Sequence, residues 1–291
     1  MATSPLSRIS FFSGNWIEHD RMVVSIDDIG FRQSVTVVER LRTYNQRPFQ
    51  FEAHWKRWQS SLDALAIDDT PTREAMTSIT DELLHRNRDW VNSNGDVGIT
   101  WFATPGLMGT SPHERVPTIG IHLNPIDHDR NVAKQTIGQP LVITSVRQQP
   151  DDAWPRAIKV RCRLHYFRAD QMAQAVDPHA VGVLIDDDGS VTDTSIANLA
   201  IVEGGSIVSP EADQVLASVS QAVVEQIAHE FNIAWRKERV RPDRITQADE
   251  VLLMGTDCGV WFANRVGTAD IHGRRPGPVF QRISNHSIWN G

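Results

Sequence analysis

Apolar residues recur along the chain with two different periods, which predict an alternation of helices and strands. A period of three to four residues predicts amphipathic helices over 51–66 and 218–231. The apolar faces consist of Trp55, Trp58, Leu62, Leu65, Val219, Val223, Ile227 and Phe231. Ser218 stands where a serine hydroxyl can cap the second helix. Further helices are predicted over 165–176 and from Thr70–Pro71, a capping residue followed by proline, to about Arg88.

Short runs rich in β-branched and aromatic residues predict the strands. They cover 9–16, 22–26, 34–41, 97–104, 118–123, 141–146, 157–160, 181–185, 198–202, 206–208 and 250–254. Turn-forming residues predict hairpins at 44–48, 187–189 and 203–205, the last two with glycines that supply the positive φ of a tight turn. Together these elements predict a mixed α/β (α+β) fold.

A polar stretch divides the chain in two. Residues 124–139 contain an Asn-Pro pair, several aspartates and histidines and little periodicity, which favours an interdomain linker. We therefore expect an N-terminal α/β domain over 1–123 and a C-terminal α/β domain over 140–291. With 291 residues, 40% of them hydrophobic, the chain is long enough to bury two cores.

Composition argues against several classes of function. The net charge is −7 and no basic tract is present, so we expect no nucleic-acid partner. The chain lacks Cys/His spacing of the zinc type, and we expect no metal. Its two cysteines are far apart, which fits a reducing cytoplasm. We expect no membrane partner, because no apolar run approaches the roughly 20 residues that cross a bilayer. We expect no secretion signal, because the opening MATSPLSRISFF lacks the apolar core of a signal peptide.

Lys159 is the first candidate for chemistry. It stands between apolar residues, with three arginines nearby at Arg156, Arg161 and Arg163. Burial and neighbouring cations lower the pKa of a lysine, as an amine that attacks a carbonyl requires. Most lysines, however, are simply solvated, so Lys159 alone is a weak signal.

Three further features can be interpreted either as parts of a functional site or as ordinary structural features. Ser218–Val219–Ser220 opens a helix, where the first backbone N–H groups can bind an anion or simply be capped. Gly255–Thr256 ends a strand with a glycine and a hydroxyl, which suits a phosphate contact or an ordinary turn. Asp193 is a carboxylate just past a strand end, with Asn198 five residues on.

The order and spacing of these features resemble the class IV aminotransferases, the family of branched-chain aminotransferases, D-amino-acid transaminases and aminodeoxychorismate lyase. The resemblance covers nearly the whole chain in six blocks, at 27–65, 157–173, 186–202, 215–233, 248–266 and 274–283. The most specific are a Glu-x-x-Arg followed by the His-x-x-Arg of HWKR, AIKVRCRLHYF around the lysine, and VTDTSIAN around the carboxylate and asparagine.

This resemblance implies a two-domain enzyme of fold type IV with pyridoxal 5′-phosphate (PLP) in the cleft between the domains. Lys159 would bind the cofactor covalently and act as general acid and base. Asp193 would pair with the pyridine nitrogen, one methylene shorter than the glutamate of the family. The remaining cofactor-binding residues implied are Arg57, Asn198, Val219, Ser220 and Thr256, with Arg57 as a charged phosphate ligand.

Departures from the family pattern lie on the substrate side. Gln33 replaces a tyrosine that often contacts cofactor or substrate. Thr104–Pro105–Gly106 replaces the Thr-Arg-Gly of D-amino-acid transaminases, and the missing arginine argues against that activity. Glu39 stands where aminodeoxychorismate lyases tend to carry threonine, which favours transamination. Substrate contacts are therefore expected among Gln33, Arg40, Thr104 and Asp257.

The resemblance implies ping-pong transfer of an amino group between an amino acid and a 2-oxo acid, in the manner of a branched-chain aminotransferase. One alternative is a PLP lyase of the aminodeoxychorismate type, which releases pyruvate. Another is a member of the family that has lost catalysis and acts as a binding protein. A homodimer is expected because the family is usually homodimeric. The amino donor, the acceptor and the stereochemistry stay open at this stage.

Overall fold

The computed structural model describes residues 7–109, 111 and 114–290. The chain divides into two compact units. The first contains the described residues up to Ile126 together with Ile158–Cys162, and the second contains Asp127–Ala157 and Arg163–Asn290. The segment that carries Lys159 therefore belongs to the first unit, whereas we expected it in the C-terminal domain.

The first unit is built on a six-stranded sheet in the order β2-β1-β6-β5-β3-β4. Its strands are β1 (Ile9–Phe12), β2 (Asn15–Glu18), β3 (Val37–Tyr44), β4 (Arg47–Pro48), β5 (Val97–Thr104) and β6 (Thr118–Pro125). Successive side chains of a strand point to opposite faces of the sheet. The apolar residues of β3, β5 and β6 stand at alternate positions, so they make one face of the sheet apolar. That face forms a core with residues from α2 (Phe51–Ala64), α3 (Arg73–Arg86) and α4 (Arg88–Asn94). The short α1 (Ile29–Arg32) precedes β3.

Most predicted elements of the first unit are confirmed, with four corrections. The strand predicted at 34–41 forms at Val37–Tyr44, because Ser34 has a positive φ that interrupts an extended strand. Residues 9–16 form a hairpin instead of one strand, because Ser13 and Gly14 have positive φ and turn the chain. The predicted strand at 22–26 is wrong: no strand forms there. The predicted start of α3 is wrong by two residues, since Thr72 caps the helix by accepting from the Ala75 N–H at 3.3 Å.

The second unit is built on a nine-stranded sheet in the order β12-β11-β10-β13-β14-β7-β8-β9, with β15 beside β14. Its strands are β7 (Gln139–Arg147), β8 (Val181–Ile185), β9 (Val191–Thr194), β10 (Asn198–Glu203), β11 (Ser206–Ser209), β12 (Trp235–Lys237), β13 (Glu250–Gly255), β14 (Gly259–Val266) and β15 (Ala269–Asp270). A pairing of Asp193 with Asn198 also joins β9 to β10. Six strands thereby close into a ring, and the pairing that closes it lies at two predicted site residues.

Five helices of the second unit pack around this sheet among the described residues. They are α5 (His128–Thr136), α6 (Leu164–Val176), α7 (Val219–Glu230), α8 (Pro242–Gln247) and α9 (Pro278–Ser284). The predicted Ser218 cap of α7 is confirmed, since its hydroxyl accepts from the Gln221 N–H at 3.2 Å. The stretch 124–139, which we expected to be a linker, contains α5. None of the helices in the described ranges is long and apolar enough to span a bilayer.

Candidate active site

The backbone around Lys159 pairs with the beginning of β3. The Val38 N–H donates to the Lys159 carbonyl at 3.0 Å, and the Arg161 N–H donates to the Thr36 carbonyl at 2.9 Å. Residues 157–160 were predicted to be a strand, but only an isolated bridge between Val37 and Val160 forms. The backbone of the lysine is thus fixed in the first unit by a few hydrogen bonds to the beginning of β3.

Ser61 of α2 connects Lys159 to the helix turn that carries Arg57. The Lys159 N–H donates to Ser61 Oγ at 3.1 Å. The same hydroxyl donates to the Arg57 carbonyl at 2.8 Å. One serine therefore holds the backbone of the candidate amine against the helix of the candidate phosphate ligand.

Arg57 is held by a buried carboxylate. Its Nε and Nη2 atoms donate to the two oxygens of Glu39 at 2.9 and 2.5 Å, and His54 Nδ1 lies 2.8 Å from the same carboxylate. Burial alone would raise the pKa of Glu39, but Arg57 and His54 hold it well below its usual range. Burial lowers the pKa of His54, so at neutral pH its imidazole is neutral and donates Nδ1–H to Glu39.

Two of the three arginines near Lys159 in sequence, Arg156 and Arg163, have their partners in the second unit. Arg156 is buried in a bidentate ion pair with Asp186, with N···O distances of 2.8 and 2.9 Å. Arg163 donates to the Ser195 carbonyl and lies over the ring of Tyr166. The charge of Arg156 is therefore balanced locally by Asp186.

Asp193 is only 2% exposed and is held by neutral donors of the second unit. Gln148 Nε2 donates to Oδ1 at 2.9 Å, and the Tyr166 hydroxyl lies 3.1 Å from each carboxylate oxygen. Burial raises the pKa of the Tyr166 hydroxyl, and the neighbouring negative charge of Asp193 raises it further. At neutral pH Tyr166 therefore keeps its proton and acts as a hydrogen-bond donor that orients the carboxylate.

The beginning of α7 lies beside this carboxylate. Asn198 pairs with Asp193, and its Nδ2 donates to the Leu216 carbonyl at 3.1 Å. Two residues later Ser218 caps α7, whose first residues Val219 and Ser220 are buried. The first amides of a helix have no acceptor within the helix, so they and the positive end of the dipole can bind an anion.

The loop with Thr256 begins close to the same point. Asn198 lies opposite Met254 in the ladder of β10 and β13. Thr256 follows one residue after the end of β13 and is partly exposed. The second unit thus brings together the predicted residues Asp193 and Asn198 with the start of α7 and, two residues past Met254, Thr256.

The predicted substrate residues lie in different environments. Gln33 is exposed at the end of α1, and Asp257 is exposed in the loop after β13. Thr104 is 2% exposed, and its hydroxyl accepts from the Gly106 N–H at 3.1 Å, so it stabilises the turn. Arg40 lies on the face of the sheet opposite the core and donates from Nη1 to Thr100 Oγ1 at 3.1 Å.

Three functional candidates were not singled out from the sequence. Tyr166 stands within the block around the lysine, and its place seven residues after Lys159 was the only available signal. Gln148 and Ser61 reach their partners over 45 and 98 residues of chain. Nothing in the local sequence distinguishes either of them from a surface residue.

The chemistry of these groups fits PLP. The first unit supplies an amine at Lys159 and a buried guanidinium at Arg57. The second supplies a buried carboxylate at Asp193, suited to a protonated pyridine nitrogen. It also supplies a capped helix N-terminus suited to phosphate. Each polar part of PLP that a protein must hold therefore has a matching side chain or backbone group.

Known proteins resemble this chain over most of its length. It is 25% identical over 263 residues to a probable branched-chain-amino-acid aminotransferase of Thermotoga maritima, covering 88% of this chain and 87% of that protein. It is 24% identical to an aminodeoxychorismate lyase of Bacillus subtilis over 262 residues, covering 88% and 83%. A crystal structure of the branched-chain amino acid aminotransferase from Thermobaculum terrenum in its PLP form matches with a TM-score of 0.80 and 18% identity, covering 98% and 95%.

That structural likeness shows the fold, which is the fold type IV expected from the sequence. The family model for amino-transferase class IV matches residues 36–266, which include Arg57, Lys159, Asp193 and Thr256. The chain therefore belongs to the class IV aminotransferase family, and we assign it as a PLP-dependent aminotransferase.

Proposed function

We propose that the chain moves an amino group between an amino acid and a 2-oxo acid, with Lys159 as the residue that binds PLP and transfers the proton. The observation that carries this proposal is the connection through Ser61. It holds the backbone of Lys159 at 3.1 Å and the carbonyl of Arg57 at 2.8 Å. An amine and a phosphate ligand that serve one cofactor need such a fixed relation, because orientation supplies much of the rate.

When bound, PLP supplies an aldehyde for the amine and a ring that accepts electrons. Lys159 Nζ would take the proton from the substrate Cα as a general base. It would then donate that proton to the cofactor carbon as a general acid. Asp193 would keep a proton on the pyridine nitrogen. Gln148 and Tyr166 would hold the carboxylate in place for that contact, which is the support that a shorter acid needs.

The phosphate would be bound by three elements. Arg57 would donate a charge-assisted hydrogen bond, with Glu39 fixing the plane of its guanidinium. Val219 and Ser220 would donate from the first turn of α7, and Thr256 would donate its hydroxyl. Asn198 would contribute by holding Leu216, and thereby the start of α7, in position.

On the substrate side we propose Arg40 as a ligand for a carboxylate. A Cβ on Gly98 would lie 2.2 Å from Arg40 Cζ, so this glycine lets the guanidinium lie flat on the sheet. Thr100 Oγ1 accepts from Arg40 and from Asn124 Nδ2, the latter at 2.8 Å, which fixes the Arg40 side chain. Gln33 and Asp257 are exposed enough to contact substrate directly, and Thr104 would shape the loop that follows it.

A branched-chain amino acid is the donor class that the Thermotoga and Thermobaculum relatives suggest by name. A lyase that releases pyruvate stays a second candidate because of the Bacillus relative. Glu39, which stands where such lyases tend to carry threonine, favours the aminotransferase. An assay distinguishes the two: release of pyruvate without an amino acceptor would favour the lyase, and dependence on an added 2-oxo acid favours the aminotransferase.

A homodimer and a reducing compartment complete the proposal. Cys162 and Cys258 are not joined by a disulfide, which suits the cytoplasm. Sedimentation of the PLP-loaded chain measures the oligomeric state. A mass of one chain at micromolar concentration would exclude the dimer under those conditions.

The covalent role of Lys159 has a direct test. The chain has four lysines, at 56, 134, 159 and 237. Reduction of the PLP-loaded protein with borohydride followed by digestion should place the tag at Lys159. Lys159→Ala should lose both the tag and the yellow absorbance, while Lys56→Ala, an exposed lysine on α2, should keep both. A tag at any other lysine, or none, would overturn the assignment.

A further inference from the structure

A cavity of about 630 Å³ lies within the second unit, between α5, the end of α6 and the strands β7, β8 and β14. Ligand sites for small molecules measure roughly 300 to 1,000 Å³, so this cavity is large enough for one. None of the residues that line it is among those assigned above to PLP or to substrate. It is therefore separate from the proposed catalytic groups.

The lining of the cavity is basic although the chain is acidic. Four basic side chains line it, Arg130, Lys134, Arg265 and Arg274, against two acidic ones, Asp170 and Asp177. Arg265 pairs with Asp177, and Arg274 pairs with Asp270. Arg130 and Lys134 form no ion pair within the described part of the chain. In a protein with a net charge of −7, this local excess of positive charge favours an anion.

Arg130 and Lys134 lie on the same face of α5, one turn apart. Like charges at this spacing repel each other, and an anion bound beside both would relieve the repulsion. Burial lowers the pKa of the Lys134 ammonium. Its Nζ lies 4.7 Å from the ring centre of Trp261, and this cation–π interaction limits the positions that the ammonium can take.

The rest of the lining suits the body of an organic molecule. Apolar side chains contribute to the wall, namely Ala133, Ile137, Pro140, Val181 and Ile196. Ser195 adds a hydroxyl that is buried and has no hydrogen-bond partner within the described residues. A hydroxyl left in this state is available to donate to a bound anion.

The helix that carries the two cations also holds the loop after β13. Asn131 Nδ2 donates to the Asp257 carbonyl at 2.6 Å, and Gln135 Nε2 donates to the Val260 carbonyl at 3.2 Å. A ligand in the cavity would therefore contact the helix that positions the loop containing Thr256.

We propose that this cavity binds a small organic anion, with Arg130 and Lys134 on its charged group and the apolar wall on its body. The charged group is a phosphate ester or a carboxylate, since arginine and lysine bind both. The ligand is a separate molecule from the cofactor and the amino-acid substrate.

The four lysines allow a test in which the controls lie in the same molecule. PLP-loaded, desalted protein is acetylated at limiting reagent, and the labelling rates of Lys134, Lys56 and Lys237 are measured by peptide mass spectrometry. Adenosine monophosphate probes for a phosphate ester and citrate for a carboxylate, each against sulfate at equal ionic strength. At ten times the Kd, labelling of Lys134 should slow about tenfold, because only about one site in eleven stays empty. Lys56 and Lys237 should not change.

Two variants test whether Arg130 takes part in binding the anion. Arg130→Gln should reduce the protection of Lys134 severalfold, while Arg47→Gln, at an exposed arginine of the first unit, should leave it intact. The proposal is overturned if Lys134 is protected by neither probe beyond Lys56 and Lys237, or if Arg130→Gln keeps full protection. Lys159→Ala should retain the protection, so failure of the PLP assignment and failure of this cavity are distinguishable.

Discussion

Asp193 is one methylene shorter than the glutamate that the resemblance led us to expect, and two side-chain donors hold its carboxylate. Gln148 donates to one oxygen at 2.9 Å and Tyr166 lies 3.1 Å from both. The carboxylate therefore has a fixed direction despite its length. A preorganised charge of this kind acts on the transition state without further reorganisation.

Asp193→Asn should keep PLP bound while turnover falls by roughly a hundredfold or more, because the charge that stabilises a protonated ring is lost. The measurement is kcat together with PLP content per chain. Asp193→Glu is the matched control: it keeps the charge and should retain more activity than the amide. An Asn variant as active as the parent would show that Asp193 does not pair with the ring nitrogen.

Glu39 is expected to make the stability of the first unit depend on pH in the acid range, because its pKa is lowered in the folded state. Its folded-state pKa is held below the unfolded value near 4.3. The stability that it contributes is therefore fully present above that value and is lost as the pH falls toward the folded pKa. Glu39→Gln should lower the free energy of unfolding at pH 7 by about 3 to 5 kcal/mol, since Arg57 is left buried without its counter-ion.

Urea unfolding at pH 7 and pH 4 measures this effect, and the variant should depend less on pH than the parent does over that interval. Glu52→Gln serves as the control because Glu52 lies on α2, the helix that carries Arg57, in an exposed pair with Arg73. It should change stability little. Equal losses in the two variants would show that burial of the Glu39–Arg57 pair is not what matters.

The residues that the sequence identified share one property: each stands in a local motif. Lys159, Arg57 and Ser218 were found because their neighbours follow a family spacing or a helix cap. Ser61, Gln148 and Tyr166 act through contacts 98, 45 and 27 residues away. Such contacts depend on which elements become neighbours, and that information is absent from a local pattern.

Among the elements, strong periodicity predicted well and polar segments did not. The strand 97–104 and the helices α2 and α7 were predicted because their core faces are apolar over several turns or pleats. Helix α5 was not predicted because two of its residues, Asn131 and Gln135, are polar and hold the β13–β14 loop by side-chain hydrogen bonds. Its contribution to stability is in hydrogen bonds, which leave no apolar period to detect.

Gly182 of β8 shows how closely a helix can pack on this sheet. A Cβ at that position would lie 2.5 Å from the backbone C and O atoms of Ala169 in α6. Gly182→Ala should therefore push α6 from the sheet and cost about 1 to 3 kcal/mol in unfolding free energy. It should also lower kcat, because α6 carries Tyr166.

Thermal or urea unfolding measures the loss. Since the obstacle at Gly182 is backbone, a second change of Ala169→Gly should not restore stability. Restoration by that double variant would mean that the Ala169 side chain, and not the helix backbone, sets the spacing.

At the scale of the whole molecule, the chain passes from the first unit to the second, returns for Ile158–Cys162 and leaves again. A composition shift marks a single boundary along the sequence, so it could not predict this return. The return is fixed at its start by the buried Arg156–Asp186 pair of the second unit. Lys159 follows Arg156 by three residues along the chain, in the segment that belongs to the first unit.

If the residue roles are right, PLP should protect segments of both units against hydrogen exchange. We expect slower exchange at 158–162 in the first unit and at 193–198 and 217–221 in the second. At a hundred times the Kd, binding adds about 2.7 kcal/mol, so amides that exchange only through unfolding should slow roughly a hundredfold. Residues 73–86 of α3 supply the internal control for any general change of the first unit, because α3 holds none of the proposed ligands.

Lys159→Ala separates the covalent bond from the phosphate contacts: protection at 217–221 should persist in part, while protection at 158–162 should be lost. Protection confined to one unit would show that the residues assigned in the other do not bind the cofactor, since a ligand held by both must slow opening in both.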